Sequence, residues 1–545
     1  MIGGIYLITP IVIYFLLIKV YAINIPYVDD HGLKGFITKF YLNEHLMDKI
    51  NAIFAQHNEH RIGLTRILLL LTYFIKNEID YVWLMWIGNF FLIGILWIYW
   101  SYLQSKNITF YYLIPIAFLL FNIESHENTF WGMASVQNFG VIFFCLLGFF
   151  KFEQKKYALL SIYLTIAIFT SGNGFFALCV VGLMLILQKE WKVFMWMMLL
   201  GTIVGIVYFG NYQKPPATPT ATISDFGKIL TSTCCFLGSY IDFSNSLAVD
   251  FRRIITLSFG ICLLIFVGIV LIINSPINFK KRKVIFPANF PEFIVCTLLF
   301  ILITGLVVVY SRIIGYGYLT VLTSRYKIYS ILLIVTLYVW ILTILQEKFK
   351  RIILIFLSLT SMSGFFISLY QNITQIDYHH KLLISNAFNW DKGDFLNKKL
   401  TPDRNFNYSL PITILDKVII ENDGKGSNQF KEFEKIVSTE TDITIEGNQP
   451  DLFLSPNEGI YLTLKSVKRM YVFPTFSVKT GIRKLIQQQM IFGGNFGVKI
   501  LKSEIDSGKY QIGVLKIKND TIMNFKTKNS AFVLNKISNP IKTNW

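Results

Sequence analysis

Charge is what this sequence has least of. Only 15% of its 545 residues are Asp, Glu, Lys or Arg, against about a quarter in an ordinary soluble domain, so the chain cannot cover a water-facing surface of its own size. That excludes a soluble enzyme. Cysteine is scarce too: Cys145, Cys179, Cys234, Cys235, Cys262 and Cys296 include no C-x-x-C pair, and none follows residue 300. A small disulfide scaffold needs denser cysteine, and the apolar runs around these six mark them as buried small hydrophobes. What the chain has instead is apolar bulk, 53% hydrophobic and 16% aromatic with mean hydropathy +0.51, which excludes disorder. Its net charge of +18 is in part a topological signal, so no nucleic-acid partner is inferred.

A membrane-spanning helix needs roughly 17 to 25 mainly apolar residues. Runs of about that size occupy 4–24, 81–101, 108–123, 130–150, 157–170, 174–189, 193–210, 253–274, 292–310, 326–345 and 352–370. The short pair at 157–189 is split by Ser171-Gly172-Asn173-Gly174, which reads as a hairpin turn. Basic loops stay in the cytoplasm, and with eleven spans the loops carrying Lys151, Lys155 and Lys156, then Lys189 and Lys192, then Lys280-Lys281-Arg282-Lys283, then Lys348, Lys350 and Arg351 all fall on one side. This puts the N-terminus in the cytoplasm of a multi-pass membrane protein. The run 62–75 is too short to span and carries Arg66, so it reads as an interfacial helix on the outer surface. It belongs to an external loop, 25–80, expected to hold two amphipathic helices.

The final stretch, 371–545, holds 24 Lys and Arg against 17 Asp and Glu and no run long enough to span. Alternating segments at 461–465 and 510–518, with turn signals at Asp423-Gly424 and Gly493-Gly494, predict a mainly β extracytoplasmic domain. The expected architecture is therefore an α-helical polytopic membrane domain, 1–370, followed by a soluble β-rich domain. Pro215-Pro216 opens a loop that reads as a lid.

Ionisable residues at one end of an apolar bundle are expensive unless solvated, paired or used. Three clusters share the predicted outer face: Asp29-Asp30-His31, then Gln56-His57-Asn58-Glu59-His60-Arg61, then Glu124-Ser125-His126-Glu127-Asn128. Paired carboxylates suit general-base activation of a hydroxyl. Arg312 and Arg325 with Tyr326 suit a phosphate, which a guanidinium grips bidentately. The three clusters are expected to line one cavity, where a group leaves a lipid phosphate.

The first span, the Asp29-Asp30 pair, the helical loop and the stretches Pro26–Asp30, Gln56–Arg61 and Glu127–Gly132 together resemble the C-type (GT-C) integral-membrane glycosyltransferases. The plan is also similar to serotype-converting glucosyltransferases that decorate the O-antigen of lipopolysaccharide. The resemblance implies transfer of a sugar from a polyprenyl-phosphate donor to a cell-surface glycan or glycolipid, with inversion at the anomeric carbon. It implies a catalytic base at Asp29 or Asp30, with Asp29 favoured. Acceptor-binding roles fall to His57, Glu59, His60, Arg61, Glu124, His126 and Glu127, and donor phosphate-binding roles to Arg325, Tyr326 and Arg312. No counterpart of a two-carboxylate D-x-D motif is found, so no metal ligand is assigned and dependence on a divalent metal stays open. The alternatives are a lipid-linked glycan polymerase, or a flippase or transporter without transfer chemistry. A transporter is expected to repeat broken helices between its halves, and no such repeat is found.

Overall fold

The computed structural model describes residues 2–214, 221–275, 277–278, 283–284, 290–391, 407–417, 433–448, 458–479 and 492–533. Three expectations lie outside them, wholly or in large part: the 215–220 lid, the Asp423-Gly424 turn and most of the 280–283 basic run.

The protein is a helical membrane protein with a β-rich C-terminal region. Among the described residues, eight helices are long and apolar enough to cross a bilayer: Gly3–Tyr21, Tyr81–Ser105, Gly132–Glu153, Trp191–Phe209, Val249–Ile273, Glu292–Tyr316, Ser324–Ile344 and Glu347–Trp390. The other three expected spans are shorter. Tyr157–Thr170 and Gly174–Gln188 are apolar helices of 14 and 15 residues, and the turn expected between them is present. The run 108–123 breaks into a 3-10 turn at Phe110–Leu113 and a seven-residue helix at Ile114–Leu120. Phe110 and Tyr111 are exposed, whereas Ile116 to Phe121 are at most 2% exposed, so the short helix lies inside protein, away from lipid that would leave the backbone groups at its end unsatisfied.

The 25–80 region contains three helices instead of two: His31–Leu42, Leu46–Ile53 and Gly63–Lys76. Gly63–Lys76 buries Thr65, Arg66, Leu69, Thr72 and Tyr73 and turns Leu71, Phe74 and Ile75 outward, an outer face suited to lipid. A further apolar helix, Phe226–Leu237, occupies what was expected to be loop.

The chain divides into two compact units, the first Met1–Ile18, Gly35–Ile75 and Val82–Asn372, the second Lys19–Lys34, Lys76–Tyr81 and Ile373–Trp545. In the first unit, the Tyr14 hydroxyl donates to Asn89 Oδ1 at 2.5 Å and shares a hydrogen bond of 2.7 Å with the Thr129 hydroxyl, tying three segments by buried polar contacts. Glycine permits the closest crossing. A methyl group on Gly260 would fall on the Cys234 carbonyl, and one on Gly238 would fall on the Thr256 carbonyl, so Phe226–Leu237 and Val249–Ile273 meet backbone to backbone.

The second unit is built on a sandwich of two four-stranded antiparallel sheets. After a two-residue hairpin in the first unit (β1 Gln56–His57, β2 His60–Arg61), the sandwich strands are β3 Lys435–Ser438, β4 Asp442–Asn448, β5 Gly459–Lys465, β6 Met470–Pro474, β7 Phe476–Lys479, β8 Phe492–Leu501, β9 Gly508–Lys518 and β10 Thr521–Val533. The sheets run β3-β4-β8-β7 and β10-β9-β5-β6. Ile443, Ile445, Leu462, Leu464, Val498, Ile500, Ile512 and Val514 form the core between them. The second sheet is covered on its other face as well, where Tyr461, Met470, Val472, Leu515 and Ile517 pack with Ile25, Leu383, Ile384, Ala387 and Phe388. Strand β5 is accordingly buried at six successive positions, as sheets covered on both faces are.

Two boundaries move. The last long helix runs from Glu347 to Asp391, about 68 Å at 1.5 Å per residue, so it does not stop at 370. Gly493-Gly494 is not a turn; it lies within β8, where the pairing with β7 shifts register between Phe492 and Phe496. Glycine fits there because a bulge needs backbone freedom.

The glycine crossing gives a paired test. Gly260→Ala should lower the stability of the detergent-solubilised protein by about 1–3 kcal/mol through overpacking. Gly268→Ala, on the same helix at a position where an added methyl would meet no atom within 4 Å, should be neutral or stabilising by up to about 1 kcal/mol. Thermal unfolding of both variants reads the difference, and equal midpoints would refute the close crossing.

Candidate functional site

The site begins with a charge that has nowhere to go. The short helix Ile114–Leu120 ends inside protein, and the Asn122 side chain accepts the Glu124 N–H at 2.8 Å, closing a 3-10 turn at Ile123–Ser125. Glu124 is thereby fully buried. A buried carboxylate must be paired, and both of its oxygens are: Lys327 Nζ donates at 2.6 Å and Asn372 Nδ2 at 2.7 Å. Lys327 also donates to the Asp242 carbonyl and lies 3.7 Å from the Asp242 carboxylate. Arg252 grips that carboxylate through two bonds of 2.8 and 2.7 Å, the bidentate geometry that strengthens such pairs. Glu124, Lys327, Asp242 and Arg252 make a neutral network, every member buried. Tyr240 lies beside it, its hydroxyl pKa raised by burial and further by the negative Glu124.

This network fixes two segments against each other. The Ser324 hydroxyl donates to the Glu124 carbonyl at 2.6 Å and accepts the Glu127 N–H at 3.2 Å. With its one proton used, it accepts from His126 Nδ1, 3.2 Å away, which puts the His126 proton on that nitrogen. Asn128 Nδ2 donates to the Arg325 carbonyl at 2.9 Å, and its oxygen accepts from Asn138 at 2.7 Å. Asn138 sits on a π-helical turn, Ser135–Phe139, a local widening often found at functional positions. The outcome is a polar platform in an apolar bundle that presents Arg325 and Glu127 side by side, 3.9 Å apart and each a little over a third exposed. Arg325 also lies over the Tyr326 ring, 5.5 Å from its centre.

The turn Ser171–Gly174 links this platform to the 56–61 hairpin. Asn173 donates to the Tyr329 hydroxyl at 3.1 Å, and the Gly172 N–H points at His60 Nδ1, 3.4 Å away. Glu59 pairs with Arg312 at 3.6 Å. His57 stands opposite His60 across the hairpin. Arg61 does other work: its guanidinium donates to the carbonyls of Phe54, Tyr208 and Gly210, capping the otherwise orphaned end of Trp191–Phe209. Arg66 caps Leu46–Ile53 in the same way, through Ala52, Ile53 and Ala55. Burial, with the neighbouring Arg61, pulls its pKa down to about 10.

Asp29, Asp30 and His31 belong to the second unit. Val28 has φ +45°, a conformation strained for a β-branched residue. It opens a 3-10 turn in which the Asp30 carboxylate accepts the Tyr27 N–H at 3.2 Å. Tyr81 donates to the Asp30 carbonyl at 3.3 Å. Asp30 is buried, and Asp29 is partly open. Lys34 Nζ lies 2.9 Å from His31 Nδ1; an ammonium only donates, so the His31 proton is on Nε2. The Tyr27 ring meets His379 edge-on at 4.7 Å, and Asp377 and Lys381 form a buried pair at 2.7 Å nearby in the chain.

Of the residues singled out in the sequence, the Glu124–Asn128 cluster and Arg325 meet at the platform, whereas Lys327, Asp242, Arg252 and Asn138 are not singled out and Asn173 is read only as part of a turn. Their signal was present: Asn138 interrupts an apolar span, and Lys327 opens one. Among the described residues no three His, Cys, Asp or Glu side chains converge as metal ligands. No protein family, curated protein or solved structure matches the chain.

The network carries a stability test. Lys327→Met leaves two buried carboxylates with one cation and should cost about 3–5 kcal/mol. Adding Glu124→Gln restores neutrality and should recover part of that loss. A Lys327→Met protein that unfolds at the wild-type temperature would show that the network anchors nothing.

Proposed function

We propose that the protein is a membrane glycosyltransferase that moves a sugar from a polyprenyl-phosphate donor to a cell-surface glycan or glycolipid, at the outer face of a bacterial inner membrane with the N-terminus in the cytoplasm. The observation that carries this reading is the Arg325–Glu127 platform: a guanidinium and a carboxylate, part-exposed, carried on backbone held by hydrogen bonds among helices apolar enough to meet a lipid donor. A guanidinium neutralises a phosphate without ever losing its own charge, which suits a reaction whose leaving group is a lipid phosphate. Arg312, paired with Glu59, is a second group of the same kind.

The base is Asp29 or Asp30, as the resemblance implies. The strained Val28 directly before them supports a role beyond surface solvation, since such strain gathers at functional positions. In the proposed reaction the acceptor hydroxyl gives its proton to the carboxylate, its oxygen bonds to the anomeric carbon, and the bond from that carbon to the phosphate oxygen breaks with inversion.

Each half is tested by itself. Of Asp29→Asn and Asp30→Asn, at least one should cut transfer by about 100-fold or more, the scale of general-base catalysis, with the amount of protein in the membrane unchanged. Full activity in both would overturn the base assignment. Mass spectrometry of surface glycan from cells with and without the protein should differ by one side-chain sugar. A change of chain length would instead identify a polymerase, and identical glycans would sink the reading.

A further inference from the structure

The ion pairs of the candidate site are of two kinds. Lys327–Glu124 and Arg252–Asp242 are buried, at 2.6 and 2.7 Å. Arg325–Glu127 and Arg312–Glu59 are part-exposed, at 3.9 and 3.6 Å, beyond hydrogen-bond distance. The buried pairs cannot be exchanged without stranding a charge. The open pairs can.

We infer that Arg325 is an anion site that Glu127 occupies in the resting protein, and that its ligand is the phosphate monoester of a membrane lipid, which displaces the carboxylate. The inference rests on the donor class proposed above, whose leaving group is this monoester once the bond to the sugar breaks, and adds the exchange. Three observations support it. The base of Arg325 is fixed, by Asn128 on its carbonyl and by Ser324 before it, so the guanidinium is delivered to one place. Its donors are unspent: Nε is buried with no hydrogen-bond partner among the described residues, and Glu127 approaches it only at 3.9 Å. Arg325 also stands two residues before Lys327–Ile344, the body of a membrane-crossing helix, so a phosphate bound there sits at the end of a span with its hydrocarbon chain beside the apolar helices.

The charges decide the direction of exchange. A phosphate monoester carries nearly two negative charges and three acceptor oxygens, against one charge on Glu127, and guanidinium takes phosphate oxygens in pairs. An exposed ion pair holds little free energy, so Glu127 yields to a phosphate while still competing with singly charged anions. Glu127 is then a specificity-determining residue, and the Arg312–Glu59 pair repeats the arrangement.

The test is direct binding of undecaprenyl phosphate to the full-length protein in detergent, with undecaprenol and inorganic phosphate as separate arms. Glu127→Gln should tighten undecaprenyl phosphate by roughly two- to fivefold, the factor that up to about 1 kcal/mol of exposed pairing represents. Arg325→Gln should weaken it by about tenfold or more, and Glu127→Gln added to Arg325→Gln should give no tightening. Undecaprenol should respond to neither variant. Unchanged affinity in Glu127→Gln, or tightening that persists without Arg325, overturns the exchange and leaves the lipid-phosphate donor standing. Inorganic phosphate binding as tightly as the lipid overturns the lipid assignment. Failure of every variant to bind undecaprenyl phosphate overturns both inference and donor class. Unfolding temperatures measured alongside separate lost binding from lost fold.

Discussion

Glu124 is the constraint on which the first unit depends. A carboxylate withdrawn from water costs several kcal/mol even after relaxation, and the short helix before it leaves no route to the surface. The cost is offset only by assembling Lys327, Asn372, Asp242 and Arg252 from four other stretches of chain. Those stretches are thereby held in one arrangement, because losing any partner strands a charge. The polar side of the network has a second product. Ser324 and Lys327 bracket Arg325, and both are bound to Glu124, so the same interaction that fixes the bundle sets where Arg325 stands.

Geometry separates charges that hold the fold from charges free to meet a ligand. Arg61 and Arg325 look alike in sequence, each next to a histidine or tyrosine and just ahead of an apolar run. Arg61 spends its donors on three carbonyls at a helix end, whereas Arg325 faces a carboxylate 3.9 Å away. Glu124 and Glu127 divide in the same way, three residues apart. The division follows from burial, and burial is set by how deep the 110–125 segment goes, which no local pattern encodes.

Much of the fold was legible because lipid enforces simple rules. Long apolar runs became helices, the Ser171–Gly174 turn divided two of them, and the amphipathic run at 62–75 formed a helix with an apolar outer face. The failures also share a cause. Hydropathy averages residues over a window and so reports what lipid sees, whereas 108–123, 226–237 and 371–391 are shaped by contact with protein. In 371–391 the apolar residues Ile373, Ile376, Leu383, Ile384, Ala387 and Phe388 keep helical spacing while Asp377, His379, His380 and Lys381 lower the average. Its Leu383, Ile384, Ala387 and Phe388 pack in the second unit's core, where a helix needs one apolar face and not an apolar circumference. Gly493-Gly494 misled for a related reason, since a glycine pair marks backbone freedom and a bulge uses it as readily as a turn.

The strain at Val28 shows how the second unit bears on Asp29 and Asp30. A β-branched residue at φ +45° costs of order 1–3 kcal/mol and persists only if its neighbours leave no alternative. They do so from both sides. Ile25 is fully buried in the core under the second sheet, with Tyr27 packed against it, and Asn24 is bonded to the backbone of Ile79 and Tyr81. After Val28, the Asp30 carboxylate closes the turn on Tyr27, and its carbonyl accepts from Tyr81. The chain enters and leaves the turn at fixed points, and Val28 takes up the mismatch. The conformation of Asp29 is therefore dictated by the packing of residues on either side of it, which is how a fold pre-positions an acid that its own sequence neighbourhood would leave mobile.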